Sequence, residues 1–332
     1  MTFIEDAQAQ QTALSRYAQL EREHAELLRR VNLVEAAGTP KPPKWLTPKQ
    51  PKKNRHATTV AMLSDCHFDE VVRPVEIGNA NAFNREIAEI RLRTWAEKVV
   101  ELNRDHLSGV TIDGLVVMLG GDIFSGNLHD LAETNADTLP GSLLHWSEQV
   151  CAAITMLADY FGKVHVPVVV GNHGRLTVKP RTKLRARDNV DWLLGHMVAR
   201  HFADVDEVTV SVTDDPDQFV QVYDTTHLLT HGDQVTGGSG IGGIWPPIMR
   251  MVARKRTRYA MQPFDLVCIG HWHQLISAPT QGLIVNGSIK GYDEYAALHN
   301  FAPEPAMWLV TPEHKVTWSA PVFCSDRAKE GW

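Results

Sequence analysis

The chain is short of cysteine, of long apolar runs and of net positive charge, and each shortage removes a class of protein. Its four cysteines, Cys66, Cys151, Cys268 and Cys324, are widely spread with no CxxC pair. That spacing excludes a disulfide framework and a zinc finger, and it suits a reduced, cytoplasmic chain. No apolar run approaches the roughly 20 residues that span a bilayer, so no membrane association is expected. The polar, acidic start MTFIEDAQAQ does not read as a signal peptide. A formal net charge of −6 excludes a bulk polycation, so contact with a polyanion must come from local patches. Hydrophobic residues at 43% and charged residues at 22% exclude general disorder. Histidine is abundant, with 16 among 332 residues, and several of these stand at the ends of apolar runs.

Residues 1–37 contain no Gly or Pro and predict one N-terminal helix. Tyr17, His24 and Val31, with Leu20, Leu27 and Val34, recur every seven residues. That pattern suits either packing on the chain's own body or a short coiled coil that makes a homo-oligomer. Residues 38–56 read as a basic, Pro-rich linker, from Gly38 through Lys41, Lys44, Lys49, Lys52, Lys53 and Arg55, without an acid. From Ala57 the pattern is βα, in a domain expected over 57–325, with 326–332 as a tail.

Five apolar runs each end in a polar turn: Val60–Leu63 in Ser64-Asp65-Cys66-His67, Leu115–Leu119 in Gly120-Gly121-Asp122, Val168–Val170 in Gly171-Asn172-His173, Leu228–Thr230 in His231-Gly232-Asp233, and Leu266–Ile269 in Gly270-His271-Trp272-His273. Continuously apolar runs are expected of strands covered on both faces by helices. Helical stripes at Ala88, Leu92, Trp95, Val99 and Leu102, and at Leu143, Trp146, Val150, Ile154, Leu157 and Phe161, alternate with them. In open α/β sheets ligands gather beyond the carboxyl ends of strands, so the five turns can converge. The later pieces Leu283–Val285, Met307–Val310 and Val316–Trp318 are expected to complete a second sheet. Taken singly, each turn is an ordinary loop. The ordered conjunction is what points to a metal site.

The set DxH…GGD…GNH…HG…GHxH resembles the calcineurin-like metallophosphoesterase family, in the manner of its nuclease branch and of stand-alone phage members, over roughly residues 57–288. The resemblance implies an α/β fold, a four-layer α/β/β/α sandwich with two metal ions at the strand ends. It implies that Asp65, His67 and His273 hold one ion, that Asn172, His231 and His271 hold the other, and that Asp122 bridges them. His173 would be the catalytic histidine, beside the ions without binding them. Phosphoester cleavage needs a nucleophile at neutral pH and cancellation of phosphoryl charge. Two ions roughly 3.5–4 Å apart supply both through a bridging hydroxide. Mixed imidazole and oxygen donors suit Mn²⁺, with Zn²⁺ or Fe as alternatives, over Mg²⁺ or Ca²⁺.

Two positions depart from the family pattern. An acid commonly follows GNH, where Gly174-Arg175 stand here, so the partner of His173 is open, with Asp233 one substitute. Trp272 inside GHxH is bulkier than usual and is expected to pack. Cys66 is expected to be a buried filler, and histidines such as His145, His196 and His314 to be structural.

Two basic stretches flank the metal motifs: Arg175, Lys179, Arg181, Lys183, Arg185 and Arg187, and then Arg254, Lys255 and Arg256 with Arg250 and Arg258. Both are candidate substrate-binding residues, since clustered cations beside a metal cleft steer a polyanion. The glycine-rich run 237–243 near His231 reads as a lid or a connector. The expectation is a phosphodiesterase acting on nucleic acid, a DNA nuclease ahead of one for RNA. A phosphatase or phosphodiesterase of small nucleotides or phosphoproteins is the alternative. That branch of the family is usually paired with a separate ATPase, and no ATPase motif occurs here.

Overall fold

The computed structural model describes residues 15–25, 43–46, 55–126, 135–235, 237, 242–294, 296, 303–313 and 315–332. Met1–Lys41 form one unit and Pro42–Trp332 a second. Within the first, residues 15–25 are helical with Tyr17 and Leu20 exposed. Leu27, Val31, Val34 and most of the linker lie outside the described residues.

The second unit is built on two sheets. In the first, β1 (His56–Leu63), β2 (Thr111–Leu119), β3 (Val164–Val168) and β4 (Val208–Val212) run parallel. β10 (Ala306–Val310) and β11 (Trp318–Pro321) extend it antiparallel beside β1, giving the order β11-β10-β1-β2-β3-β4. The second sheet has the order β5-β6-β7-β9-β8, from β5 (Asp217–Val222), β6 (Thr225–Thr230), β7 (Leu266–Ile269), β8 (Ile276–Ala278) and β9 (Leu283–Val285). Met307–Val310 thus join the first sheet, against the expectation of a second-sheet place. Their antiparallel pairing with β1, Val60 opposite Trp308, covers what would be an open sheet edge.

The strict period of two along each strand sets the layering. Ala61 and Leu63 of β1, with Leu115, Val117 and Leu119 of β2, face three helices. Val60, Met62, Val116 and Met118 face Leu229, Leu266, Cys268 and Ile284 of the other sheet. The helices are α1 (Arg85–His106), α2 (Leu139–Phe161) and α3 (Val190–His201). Each starts where a side chain satisfies the first turn: Asn84, Thr138 and Asn189 accept from the backbone N–H of Ile87, Gly141 and Asp191. The outer face of the second sheet is covered by α4 (Trp245–Arg258) through Ile248, Met251 and Val252. The result is the four-layer α/β/β/α sandwich. Among the described residues no helix is long and apolar enough to cross a membrane.

Both ends of this unit differ from the expected boundaries. Leu46, placed in the linker, is fully buried between the sheets and accepts from Tyr223 N at 2.8 Å. Residues 326–332 are not a loose tail. The short helix α5 (Arg327–Glu330) brings Glu330 to fully buried Arg91, at 2.8 Å from both Nε and Nη2. An unpaired guanidinium there would cost several kcal/mol, so this carboxylate belongs to the fold.

Candidate metal centre

β1, β2 and β3 are neighbours in one sheet and β6 and β7 in the other, so the five turns meet at one end of the sandwich. Backbone bonds tie the turns together: Asp65 N to Gly121 O at 3.0 Å, His67 N to Asp122 O at 3.2 Å, and Gly270 N to His231 O at 2.9 Å. Gly121 sits at φ 85°. A Cβ there would strike the backbone of Val170 and Gly171, and one on Gly171 would strike Asp122. These glycines let the second and third turns pack backbone to backbone.

Ligand-capable atoms of Asp65, His67 and His273 lie within 4.8 Å of one another. The same holds for His67, Asp122 and His173, and for Asp122, His231 and His271. His67 and Asp122 each belong to two groups, so the three form one continuous cluster. Asn172 joins through its neighbour, since His173 N donates to Asp122 Oδ1 at 2.6 Å, and the Asn172 Oδ1 is buried without a hydrogen bond. Five of these residues sit in the left-handed region: Asp65 (φ 54°), His67 (45°), Asp122 (52°), His271 (68°) and His273 (48°). Each such conformation costs about 1–2 kcal/mol for a residue with a Cβ. Strain of this kind persists where the surroundings over-determine it, and it gathers at functional sites.

Electrostatics point the same way. His231 donates Nδ1–H to the Gly120 carbonyl at 2.9 Å, which leaves Nε2 facing Asp122 Oδ2 at 2.8 Å. A bare nitrogen lone pair against a carboxylate is repulsive unless a cation stands with them. Without a metal a proton fills that part: burial works against it, but the Asp122 charge raises His231 to about 10. Burial and the nearby Asp122 charge, opposed by His231, leave Asp65 at about 7. Burial works to raise Asp122, yet His231 and His173 hold it below the ordinary carboxylate range. Burial lowers His271 to about 4 and His273 to about 3, so both are neutral bases at physiological pH. His67 Nε2 and His273 Nε2 lie 3.1 Å apart. Neutral imidazoles, two crowded carboxylates and an amide oxygen form a donor set that fits divalent cations of intermediate softness.

His173 has a partner, though not Asp233. Its Nδ1 lies 3.0 Å from the Ser125 carbonyl, while Asp233 is ion-paired to Arg185. The missing acid after GNH is also accounted for. A Cβ on Gly174 would lie 3.1 Å from the Asp191 carboxylate and would collide with Asn189 Oδ1. Asp191, fully buried, accepts from Asp122 N (3.0 Å), Ile123 N (3.2 Å) and Gly171 N (2.9 Å). Burial and the neighbouring Asp122 charge raise it to about 6. It clamps the turns that carry Asp122 and Asn172, and no short motif in the sequence pointed to it.

Other supports were equally silent in the sequence. Ser64 donates to Asp65 Oδ2 at 2.5 Å and accepts from Asn286 Nδ2 at 2.8 Å, and Ser288 donates to the Asp65 carbonyl. Glu70 lies 3.6 Å from His67 Nδ1 and is paired to buried Lys290 at 2.9 Å. Cys66 and Trp272 are buried in the core, as expected of fillers. His145 pairs with Glu89, His196 packs on Trp192, and His314 lies outside the described residues.

The basic residues divide. Lys179, Arg181 and Lys183 are exposed on the segment after GNH, and Arg187 pairs with Asp214 at 2.6 Å. Arg175 is spent on its own loop, donating to the carbonyls of Thr177, Asn172 and Val178 at 3.0, 3.2 and 3.2 Å. The second stretch corrects the expectation. Lys255 is buried against Asp217 at 2.6 Å, because a cation on the inner face of α4 needs a counter-charge. Arg256 lines a cleft with Asp265, Gly282 and Lys315, at the amino ends of β7 and β9, opposite the ligand cluster. Arg254 is exposed on α4. Of the glycine-rich run, residues 238–241 lie outside the described residues.

No family model matches the chain, and no curated protein does. Among solved structures it is similar to a conserved uncharacterised protein, described as a predicted phosphoesterase, from Streptococcus pneumoniae, at 13% identity and TM-score 0.29 over 80% of this chain and 96% of that one. It is similar to Vps29 from Entamoeba histolytica complexed with Zn²⁺, at 14% identity and TM-score 0.32 over 80% and 99%. A putative 5′-nucleotidase from Staphylococcus aureus matches at 13% identity and TM-score 0.34, over 83% of this chain and 57% of that one. These likenesses are slight.

Proposed function

We propose that the chain is a two-metal-dependent phosphodiesterase of the calcineurin-like type, acting on nucleic acid, DNA ahead of RNA. The observation that carries the reading is one buried cluster in which left-handed Asp65, His67, Asp122, His271 and His273 converge on His231 and the unbonded Asn172 Oδ1. Asp65, His67 and His273 would hold one ion, Asn172, His231 and His271 the other, and Asp122 both, with Mn²⁺ the preferred metal and Zn²⁺ or Fe alternatives. When bound, such ions supply Lewis acidity toward phosphoryl oxygens and acidify water.

The chain's own residues do the rest. The Nδ1–H bond of His173 to the Ser125 carbonyl sets the ring so that Nε2 faces the cluster, 4.5 Å between ring centres from His67. With Nδ1–H tied to that carbonyl, Nε2 is the ring atom left to serve the reaction, which suits His173 to deliver a proton to the departing ester oxygen. Asp191 holds the backbone of the turns that carry Asp122 and Asn172, and Ser64 holds the Asp65 carboxylate, so little reorganisation is needed on binding. The exposed Lys179, Arg181 and Lys183 beside the GNH turn support a polyanionic substrate.

The test is a substrate panel with Mn²⁺: labelled DNA, labelled RNA, a cyclic nucleotide, bis-p-nitrophenyl phosphate and its mono-ester. The expected result is chelator-sensitive cleavage of DNA and of the diester. Rapid turnover of the mono-ester with an untouched diester would overturn the phosphodiesterase reading.

A further inference from the structure

Between the turn after β3 and the turn after β6 lies a cleft walled by Asn172, Arg175, Arg181, Arg185, Asp188 and Asp233. It shares Asn172 with the ligand cluster, so a group seated in it is the neighbour of one held at the cluster. Its three guanidinium groups stand in different states. Arg175 is consumed by backbone carbonyls and stiffens the wall. Arg185 gives one Nη to Asp233, but its Nε is buried with no acceptor. Arg181 is exposed and has no hydrogen-bond or ionic partner among the described residues.

Leu184, next to Arg185, is held at φ 56°, outside the ligand cluster altogether. A left-handed leucine is strained, and strain of this kind gathers at functional sites. Asp188 and Asp233 face the same cleft, so its three cations exceed its acids by one. That balance, with two under-used planar forks, suits a phosphate group and not a metal ion.

We propose that this cleft is an anion subsite that takes the phosphate next to the scissile one, with Arg181 and Arg185 as its donors. The proposal rests on the phosphodiesterase reading and narrows the substrate to esters that carry a second phosphate, as every internal position of a polynucleotide does.

The test separates binding from cleavage. Anisotropy of a short fluorescein-labelled oligodeoxythymidine is measured with chelator present, for wild type, Arg181→Ala, Arg185→Lys (which keeps the charge opposite Asp233) and the double variant. Arg181→Ala is expected to weaken binding by roughly tenfold and to lower the slope of log Kd against log salt by about 0.7, one phosphate contact on a single strand. Arg185→Lys should weaken it without unfolding the protein, as its melting temperature reports. With Mn²⁺ present, the ratio of kcat/KM for the oligonucleotide to that for bis-p-nitrophenyl phosphate should fall by a similar factor. Unchanged oligonucleotide affinity in the double variant, or an equal fall for both substrates, overturns the subsite. Binding lost in the variants of a protein that cleaves no ester would uphold Arg181 and Arg185 as phosphate donors, while sinking the phosphodiesterase reading and with it the place beside a scissile phosphate.

Discussion

Replacing Asp122 by Asn changes one charge at the centre of the ligand cluster and little of its shape. The Asn Oδ1 can still accept from His173 N, which Asp122 does at 2.6 Å, and Nδ2 can donate to His231 Nε2, now 2.8 Å from the carboxylate. His231 keeps its Nδ1–H bond to Gly120 and simply sheds its second proton. The Coulomb pressure that Asp122 puts on Asp65 and Asp191 disappears as well. Loss of the ion pair and relief of that repulsion oppose each other, so the metal-free variant should melt within about 1 kcal/mol of wild type.

Metal binding should behave differently, because Asp122 is common to two of the three ligand groups. At a hundredfold excess over Kd a ligand stabilises the native state by about 2.7 kcal/mol. For a chain of this length that corresponds to a rise in melting temperature of roughly 5 °C. Differential scanning calorimetry with and without Mn²⁺, beside metal analysis of the dialysed protein, gives both numbers. Wild type should show the rise and Asp122→Asn should show almost none. An equal metal-induced rise in both proteins would refute the sharing of Asp122 between two ions. No rise in wild type with Mn²⁺, Zn²⁺ or Fe would refute the metal centre itself.

The same geometry predicts the behaviour of other variants. His173→Ala should keep the metal-induced rise and lose about 10²–10⁴ in kcat on bis-p-nitrophenyl phosphate, the usual scale of a lost general acid. A parallel loss of metal would make His173 a ligand. Asp191→Asn sets an amide NH2 donor against the Ile123 N–H, which now donates to a carboxylate oxygen, so metal affinity by titration calorimetry should fall about 10–100-fold, and unchanged affinity would deny the clamp. Burial holds His165 and His227 near 4, below the ordinary 6.5. The unfolded chain therefore binds protons between pH 6.5 and 4 that the folded chain refuses. The stability this contributes is complete above 6.5 and lost as pH falls, up to roughly 3 kcal/mol for each histidine. The pair of changes His165→Gln and His227→Gln should flatten the melting-temperature profile across that window, and a profile as steep as wild type would contradict it.

Strand ends were legible in the sequence because a buried parallel strand must be apolar throughout, so the first polar residue after it announces the turn. The order of Asp65, Asp122, Asn172, His231 and His271 could thus be read directly, whereas the sandwich that brings them together was implied only by the resemblance of the ordered set to a known family. What surrounds them could not. Lys255 and Arg256 read as two members of one basic run, yet the helix turns one inward onto Asp217 and leaves the other beside Asp265. A charge count along the chain has no access to that rotation.

Asp191 shows the limit most clearly. It lies beyond the GNH turn on a different element, and only the packing of α3 against β3 sets its carboxylate beside Gly174. Local chemistry, such as an apolar run followed by a donor or a cap before a helix, is written in neighbouring residues, and the sequence by itself determined it. Which distant group completes a hydrogen bond, neutralises a buried charge or fills the space a glycine leaves depends on how whole elements pack, and the tertiary structure alone decided it.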